Sequence, residues 1–322
     1  MQAPPLSDAP ALDAVVIGRN EGERLVACIN SLRSAVRRVI YVDSGSTDGS
    51  VDAAKALGAE VVTLDTALPF TAARARNAGL AQLGEDTEFV QLVDGDCAIR
   101  DGWIQAALQT LSDRPDLAVV CGRRRERFPD ASVYNQLIDA EWDTPPGPAK
   151  ACGGDAMMRM TALREVGGYR DDLIAGEEPE LCVRLRHAGW GIWRLDHDMT
   201  WHDARMTRFS QWWRRSKRAG YAFAEGAALH GGPPERHWVT ETRRAVIWGA
   251  VLPVVSLLGG MVFAPLWLLL LAYPAQFLRL SAKTGALRAG FSILGKFAEA
   301  WGVLAFWADR LRGKKRHIIE YK

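Results

Sequence analysis

The feature that most restricts the fold of this chain is a stretch of 34 residues, 245–278, without Asp, Glu, Lys, Arg or His. Membrane insertion or burial in a very large core accounts for such a length. A membrane-spanning helix needs roughly 20 apolar residues, so this stretch is long for one span and short for two. Gly259 and Pro265 interrupt its middle. We predict two short helices in a hairpin with a turn near residues 259–265, while a re-entrant or shallow hairpin fits the same residues.

The charge distribution supports a membrane partner for this part of the chain. The net charge of +2 divides into −11 for residues 1–204 and +13 for residues 205–322. Cations lie on both sides of the apolar stretch, at Arg243 and Arg244 before it and at Arg279 after it. Under the positive-inside rule, both ends of the hairpin are expected in the cytoplasm. A mean hydropathy of −0.08 is too low for a polytopic transporter.

The segments around the apolar stretch mix aromatic residues with cations. Residues 205–244 carry nine Lys or Arg against three Asp or Glu, and Arg208–Arg218 reads RFSQWWRRSKR. Single-stranded nucleic acid and a membrane interface both suit that mixture, and the adjacent apolar stretch favours membrane lipids over nucleic acid. Residues 289–308 predict an amphipathic interfacial helix. The final residues, RLRGKKRHIIEYK, suit anionic headgroups or form a solvated tail.

The acidic part of the chain alternates strands and helices. Apolar, β-branched runs predict strands, and helical periodicity or strong helix formers predict the helices between them. The strands are expected at 14–18, 39–43, 60–64, 89–96 and 117–122, and helices at 51–57, 71–83 and 103–111 with another after Asn20. This α/β pattern predicts a parallel sheet covered by helices on both faces, with ligands at the carboxyl ends of the strands.

Several classes of protein are excluded by motifs that are missing. Residues after the first strand, GRNEG, lack the GxGxxG of a dinucleotide dehydrogenase, and there is no P-loop. Five cysteines without a CxxC pair argue against a zinc ribbon or disulfide framework and suit a reducing compartment. The N-terminus, MQAPPLSDAP, is not expected to be a signal peptide.

Asp94-Gly95-Asp96 ends a predicted strand at the ligand edge of the sheet. Two carboxylates flanking one residue can share a divalent cation, which can bridge a diphosphate. The triplet alone is weak evidence, because a solvated turn has the same composition.

Ordered motifs resemble the family 2 glycosyltransferases, which are inverting enzymes with a GT-A nucleotide-binding fold. The matching pieces cover about residues 12–205 and come in the family's order. They are VVIGRNEGERL (15–25), VDSGSTDGS (42–50), ARNAGL (75–80), VDGD (93–96), GEEPELCVRLRHAGW (176–190) and HD (202–203). The resemblance implies a GT-A nucleotide-diphospho-sugar transferase fold, a mixed and mostly parallel sheet between helices, followed here by membrane-associated helices.

The resemblance implies a donor site on the first strands. Asp43 would accept a hydrogen bond from the nucleobase, and Asn20 and Glu21 would line the base and ribose pocket. Arg76 would lie near the base or diphosphate, although an exposed helix cation is the alternative.

The same resemblance implies a metal site. Asp94 would face the ribose and the metal, and Asp96 would ligate Mg²⁺ or Mn²⁺. His202 matches a position that completes the metal site in many relatives. The metal would offset the charge that develops on the leaving nucleoside diphosphate.

The acceptor side is implied by two further segments. A carboxylate must take the proton of the acceptor, and the family places it in a pair that matches Glu177-Glu178. Glu178 stands where the family usually has Asp, so the base could be either residue, and both could instead only cap a helix. Gly153, Gly154 and Asp155 match a segment that approaches the sugar and acceptor.

Two basic motifs are ambiguous. Gln211, Trp212 and Arg214 partly match the QxxRW motif of processive membrane synthases, but Arg215 replaces the final Trp, so single sugar transfer is expected. Residues 123–127 form a basic run, RRRER, which is expected to be a solvated loop rather than a phosphate contact.

Together these features predict a metal-dependent glycosyltransferase anchored at the cytoplasmic face of the inner (plasma) membrane. Its expected partners are a nucleotide-sugar donor, a polyprenyl-linked or other saccharide acceptor, and membrane lipids, with no nucleic acid. The expected division is 1–205 catalytic, 206–244 interfacial helices, and 245–322 membrane hairpin, amphipathic helix and basic tail. The alternatives are a polyprenyl-phosphate sugar synthase and a non-catalytic partner of a synthase complex.

Overall fold

The computed structural model describes residues 10–68 and 70–313, which divide into two compact units. The N-terminal unit contains the described residues up to Leu173 together with Glu177–Arg205. The C-terminal unit contains Ile174–Gly176 and the described residues from Met206 onward.

The N-terminal unit is built on one mixed β-sheet. Its strands are β1 (Leu12–Gly18), β2 (Val39–Asp43), β3 (Glu60–Thr63), β4 (Phe89–Asp94), β5 (Cys97–Ile99), β6 (Leu117–Glu126), β7 (Gly147–Pro148), β8 (Ala156–Arg159) and β9 (Gly191–His202). They lie in the order β3-β2-β1-β4-β8-β6-β9-β5, with β7 paired to β9. The predicted strands are therefore present.

The sheet is parallel only in part. β3, β2, β1 and β4 are parallel neighbours, as the alternation of strands and helices predicts. β8 lies between β4 and β6 and is antiparallel to both, so β6 does not pair directly with β4. The all-parallel sheet expected from the alternation is wrong, and the mixed sheet implied by the family resemblance is confirmed.

Helices cover both faces of this sheet. They are α1 (Glu23–Leu32), α2 (Ser50–Ala56), α3 (Ala72–Leu80), α4 (Trp103–Asp113), α5 (Val133–Trp142), α6 (Met160–Glu165) and α7 (Glu177–His187). Alternate residues of β1 point to opposite faces: Val16 packs in one apolar cluster with Leu25, and Val15 packs in another with Leu181. Burial on both faces explains why these strands read as continuous apolar runs.

The C-terminal unit is helical. Its helices are α8 (Phe209–His230), α9 (Val239–Val262), α10 (Ala272–Thr284) and α11 (Ala286–Arg312), with a 3₁₀ segment at Ala264–Leu271. The chain breaks between α9 and that segment at Phe263, where φ is −133° and ψ is 94°. The predicted turn near residues 259–265 is confirmed.

Glycines bring the helices of this unit into close contact. A Cβ added at Gly220 of α8 would overlap the backbone of Glu299 in α11, and one at Gly302 would overlap the backbone of Lys217. Gly249 of α9 approaches the backbone of Lys296 in the same way. Small residues at such crossings are typical of helix packing in membranes.

Exposed apolar side chains are concentrated in the C-terminal unit. Among the described residues, the exposed large hydrophobics of the N-terminal unit are Leu68 and Phe128, whereas the others begin at Phe209 and include Met261 and Val262, 78% and 91% exposed. By length and composition, α9 and α11 could each cross a membrane. The helix predicted over 289–308 is present as α11, and the basic residues from Lys314 onward lie outside the described part of the chain.

Candidate functional site

The two carboxylates of Asp94-Gly95-Asp96 lie at the carboxyl end of β4, on the turn into β5. Their surroundings differ. The side chain of Asp94 is 28% exposed and that of Asp96 is 1% exposed. The predicted position of the triplet at the sheet edge is confirmed.

Asp96 lies against His202, as the order of the motifs suggested. Its Oδ2 is 3.3 Å from His202 Nε2, and the thiol of Cys97 is 3.6 Å from Oδ1. Ligand atoms of Asp96, Cys97 and His202 all lie within 4.8 Å of one another. The antiparallel pairing of β5 with β9 places Cys97 opposite His202 and so creates this cluster.

A second carboxylate orients the imidazole. Glu126, buried at the end of β6, places Oε2 3.4 Å from His202 Nδ1. Burial acts to lower the pKa of His202, but Asp96 and Glu126 outweigh burial and raise it above its ordinary value. A histidine held through one nitrogen, with a carboxylate beside the other, is a common arrangement of metal ligands. The imidazole of His202 and the carboxylate of Asp96 fit a divalent metal, and the carboxylate is the ligand that suits Mn²⁺ or Mg²⁺.

The side chain of Asp94 does not join the cluster of Asp96, Cys97 and His202 but faces two arginines. Its Oδ1 is 2.7 Å from Arg76 Nη2, and its Oδ2 is 3.2 Å from Arg124 Nη2. The backbone N–H of Asp94 donates to Asp155, which is fully buried and also pairs with Arg124 at 2.8 Å. A Cβ at Gly154 would lie 2.6 Å from Asp94 Oδ2, so a larger residue there would force this carboxylate to shift.

The basic run 123–127 is not a solvated loop, so that expectation is wrong. β6 continues to Glu126, and its register with β9 turns Arg124 into the site. The guanidinium of Arg124 also lies 5.3 Å from the centre of the Trp142 ring. The sequence carried no local signal for this continuation, because residues 123–126 are all charged and none is apolar or β-branched.

Arg76 is a buried residue of α3 rather than an exposed helix cation. Its Nη1 is 2.7 Å from Glu177 Oε1, and its guanidinium lies 5.5 Å from the centre of the Tyr169 ring. Burial acts to lower the pKa of Arg76, and the carboxylates of Asp94 and Glu177 outweigh it and raise the pKa. Arg76 and Arg124 thus lie among the carboxylates of Asp94, Glu177 and Asp155, which balance their charges.

Glu178 lies at the start of α7, 6% exposed. Its Oε1 accepts a hydrogen bond from the backbone N–H of Cys152 at 2.5 Å and from the thiol of Cys182 at 2.9 Å. Neither cysteine was identified from the sequence. Only the fold brings the segment before β8 against the first turn of α7.

The residues after β1 and β2 hold each other in place. Both carboxylate oxygens of buried Asp43 accept hydrogen bonds: Oδ1 from the Tyr41 hydroxyl, and Oδ2 from the N–H groups of Gly45 and Ser46. Asn20 has φ of 57°, and its Oδ1 accepts from the N–H of Thr47 at 2.7 Å.

Glu21 stands beside this loop and is 8% exposed. Its Oε2 lies 2.5 Å from Arg24 Nη2 of α1. These contacts fix the shape of the loop edge, and the donor-site roles of Asn20, Glu21 and Asp43 stay predictions.

The QxxRW-like residues belong to the C-terminal unit. Gln211 Oε1 accepts from the backbone N–H of Thr207 and Arg208, both at 3.0 Å, which caps α8. Trp212 is buried, and its ring meets Phe291 edge-on at 4.9 Å. Arg214 is exposed. Within their unit the first two stabilise helices, and the acceptor-side role of all three stays a prediction.

Comparison with known proteins identifies related sequences. Residues 13–166 match the model of the family "Glycosyl transferase family 2". The "Succinoglycan biosynthesis protein ExoA" of Rhizobium meliloti is 28% identical over 193 residues, 55% of this chain and 58% of the relative. The "Pre-mycofactocin glycosyltransferase" of Mycobacterium tuberculosis is 30% identical over 229 residues, 67% of this chain and 47% of the relative. The matched segments thus span about half the length of these curated relatives.

Solved structures share the fold. A mannosyltransferase from Pyrobaculum calidifontis, in complex with GDP-Man and Mn²⁺, aligns with a TM-score of 0.65 at 18% identity, covering 94% of this chain and 89% of its own. Glucosyl-3-phosphoglycerate synthase from Mycobacterium tuberculosis, in complex with Mn²⁺ and UDP-glucose, aligns with a TM-score of 0.53 at 18% identity. The alignment covers 70% of this chain and 80% of the synthase chain. At this identity the likeness establishes the GT-A fold.

Proposed function

Through residues 13–166 the chain belongs to glycosyl transferase family 2, and from that membership we propose that it is a metal-dependent, inverting glycosyltransferase. It transfers a single sugar from a nucleotide-sugar to a membrane-held acceptor, a polyprenyl-linked saccharide of cell-surface or exopolysaccharide assembly. The proposed catalytic part is residues 1–205. The observation that carries the proposal is the pairing of Asp96 with His202 beside Asp94 and its two arginines.

Asp96 and His202 would hold the divalent metal, with Asp94 on its donor side. When bound, the metal supplies positive charge that stabilises the leaving nucleoside diphosphate. The guanidinium groups of Arg76 and Arg124 lie beside Asp94 and would donate hydrogen bonds to the phosphates of the donor. Mn²⁺ and nucleotide-sugars in the two solved relatives support this assignment.

Glu178 is the proposed base. Glu177 is paired with Arg76 at 2.7 Å, and a carboxylate that is bound by arginine is a poor proton acceptor. Glu178 forms no such arginine contact among its described hydrogen bonds and lies at the same helix end. It would take the proton of the acceptor hydroxyl during displacement at the anomeric carbon.

The membrane-held acceptor is supported by the C-terminal unit. Its apolar side chains are exposed over α9 and the following 3₁₀ segment, which lipid would cover. Cations at both ends of this apolar part favour the cytoplasmic face for those ends. The ExoA relative is described as a succinoglycan biosynthesis protein, which fits assembly of an exopolysaccharide.

The test is a donor screen on the full-length protein in detergent or nanodiscs. UDP-, GDP- and dTDP-sugars are offered with Mn²⁺ or Mg²⁺, and with a polyprenyl-linked saccharide or a polyprenyl phosphate as acceptor. We expect transfer to the saccharide, with the anomeric configuration inverted.

Two variants complete the test. Asp96→Asn should lower turnover by roughly 100-fold or more and remove thermal stabilisation by Mn²⁺, because it removes a metal ligand. Asp101→Asn, on an exposed turn, is the control. Full activity of Glu178→Gln with polyprenyl phosphate alone would favour the polyprenyl-phosphate sugar synthase, and no turnover with any donor would favour the non-catalytic partner.

A further inference from the structure

Two buried cysteines surround the carboxylate proposed as the base. The thiol of Cys182 lies one helical turn after Glu178, 2.9 Å from its Oε1. The backbone N–H of Cys152 donates to the same oxygen at 2.5 Å. The two sulfur atoms are 3.8 Å apart, and Cys152 Sγ is 3.5 Å from the carbonyl oxygen of Gly153.

The Cys182 thiol donates to Glu178, and the Cys152 thiol donates to the carbonyl oxygen of Gly153. Burial raises the pKa of Cys182 to about 11 and the pKa of Cys152 well above its ordinary value. Both are therefore neutral S–H groups at neutral pH. Other titratable groups around them are Tyr169, Cys121 of β6 and Arg186 of α7.

We propose that Cys182 is a positioning residue: its thiol, with the Cys152 N–H, fixes Oε1 of Glu178 and assigns proton abstraction to Oε2. This inference rests on the proposed function, because it concerns the base of that reaction. Two donors on one oxygen prevent rotation of the carboxylate. The anchor also accounts for glutamate at this position, since the longer side chain must be held to act at one place.

The first test is the steady-state kinetics of sugar transfer by the full-length protein. In Cys182→Ala the carboxylate loses one of its two donors and can rotate, so kcat should fall roughly threefold to tenfold while the donor KM stays near wild type. Cys182→Ser keeps a donor and should restore kcat.

The control is Val183→Ala, which removes buried apolar volume from the next position of α7. It should lower stability without lowering kcat. An unchanged kcat in Cys182→Ala, or an equal loss of kcat in Val183→Ala, would overturn the proposal.

A second measurement does not depend on activity. In a double-mutant cycle of unfolding free energies, Cys182→Ala should cost less in a Glu178→Ala background than in wild type, because the two side chains interact. Additive costs would overturn the proposal even if the enzyme transfers sugar. A coupled pair in a protein that transfers no sugar would instead refute the proposed function alone.

Discussion

At the scale of single residues, Arg124 joins groups that are distant in the sequence. It pairs with Asp94 on the turn after β4 and with Asp155 just before β8. Asp155 is fully buried and also accepts a hydrogen bond from Thr200. The position of Asp94 therefore depends on a cation from a third strand, and its charge is compensated before any ligand binds.

Arg124→Ala should destabilise the fold by about 3 kcal/mol, because it leaves the buried carboxylate of Asp155 without its cation. It should also raise the KM for the donor. Denaturant unfolding and donor kinetics measure the two effects.

Arg127→Ala removes an exposed cation from the same basic run and is the matched control. Equal losses in both variants would show that the run acts through its summed charge and not through the contacts of Arg124.

A second residue-scale feature lies in β1, far from the strand ends that carry the site. Asp13 is fully buried and bonds to Arg37, Arg38 and Thr87. Burial acts to raise its pKa, but the hydrogen bonds from Arg37, Thr87 and Arg38 outweigh burial and lower it below 3.8. These contacts stabilise the ionised form.

Asp13→Asn should therefore lower stability at neutral pH. Because the pKa of Asp13 is lower in the folded protein, its ionised carboxylate adds to the free energy of unfolding above about pH 3.8. This contribution is lost as the pH falls through the pKa of Asp13 in the folded protein. The stability difference from wild type should thus shrink below that pH in denaturant unfolding curves. Asp52→Asn on α2, which is exposed, supplies the control, and a pH-independent difference would contradict the expectation.

At the scale of elements, backbone contacts determine how α8 and α11 pack. Gly220 and Gly302 lie where the two backbones meet, and side chains at either position would meet main-chain atoms. The main chain cannot move aside as a flexible side chain can, so the cost of a Cβ there is high.

Gly220→Ala should lower the melting temperature of the full-length protein in detergent. Gly290→Ala, in α11, meets its nearest neighbour, Phe277, at 3.8 Å and should leave stability unchanged or raise it by about 0.5–1 kcal/mol through helix propensity. Equal melting temperatures for the two variants would contradict this packing.

At the scale of the whole molecule, the two units differ in the surface that they present. The N-terminal unit buries its apolar residues in two clusters on the faces of its sheet. The C-terminal unit exposes apolar side chains along α9 and beyond, and its cations flank them. Contact of such an apolar surface with water is unfavourable in free energy, whereas contact with lipid is not.

The full-length protein should therefore fractionate with membranes and resist alkaline carbonate, with release by detergent. A double variant, Leu258→Asp and Val262→Asp, places charges at side chains 62% and 91% exposed and should weaken membrane retention. Leu68→Asp, 54% exposed in the N-terminal unit, should have no such effect. Release of the wild type by carbonate would contradict insertion.

The sequence by itself determined five of the nine strands (β1 to β4 and β6), most of the helices, the hairpin turn and the carboxyl-end position of Asp94 and Asp96. These follow from local periodicity, from Gly and Pro, and from the rule that parallel strands end at one edge. It also pointed to His202 through the order of the motifs.

Only the tertiary structure decided the rest. The antiparallel insertion of β8, the continuation of β6 through RRRE, and the thiol contacts of Glu178 all depend on pairings between distant segments. Local patterns carry no information on which strand is a neighbour or which buried donor meets a carboxylate. Arg124, Cys152 and Cys182 were missed for that physical reason.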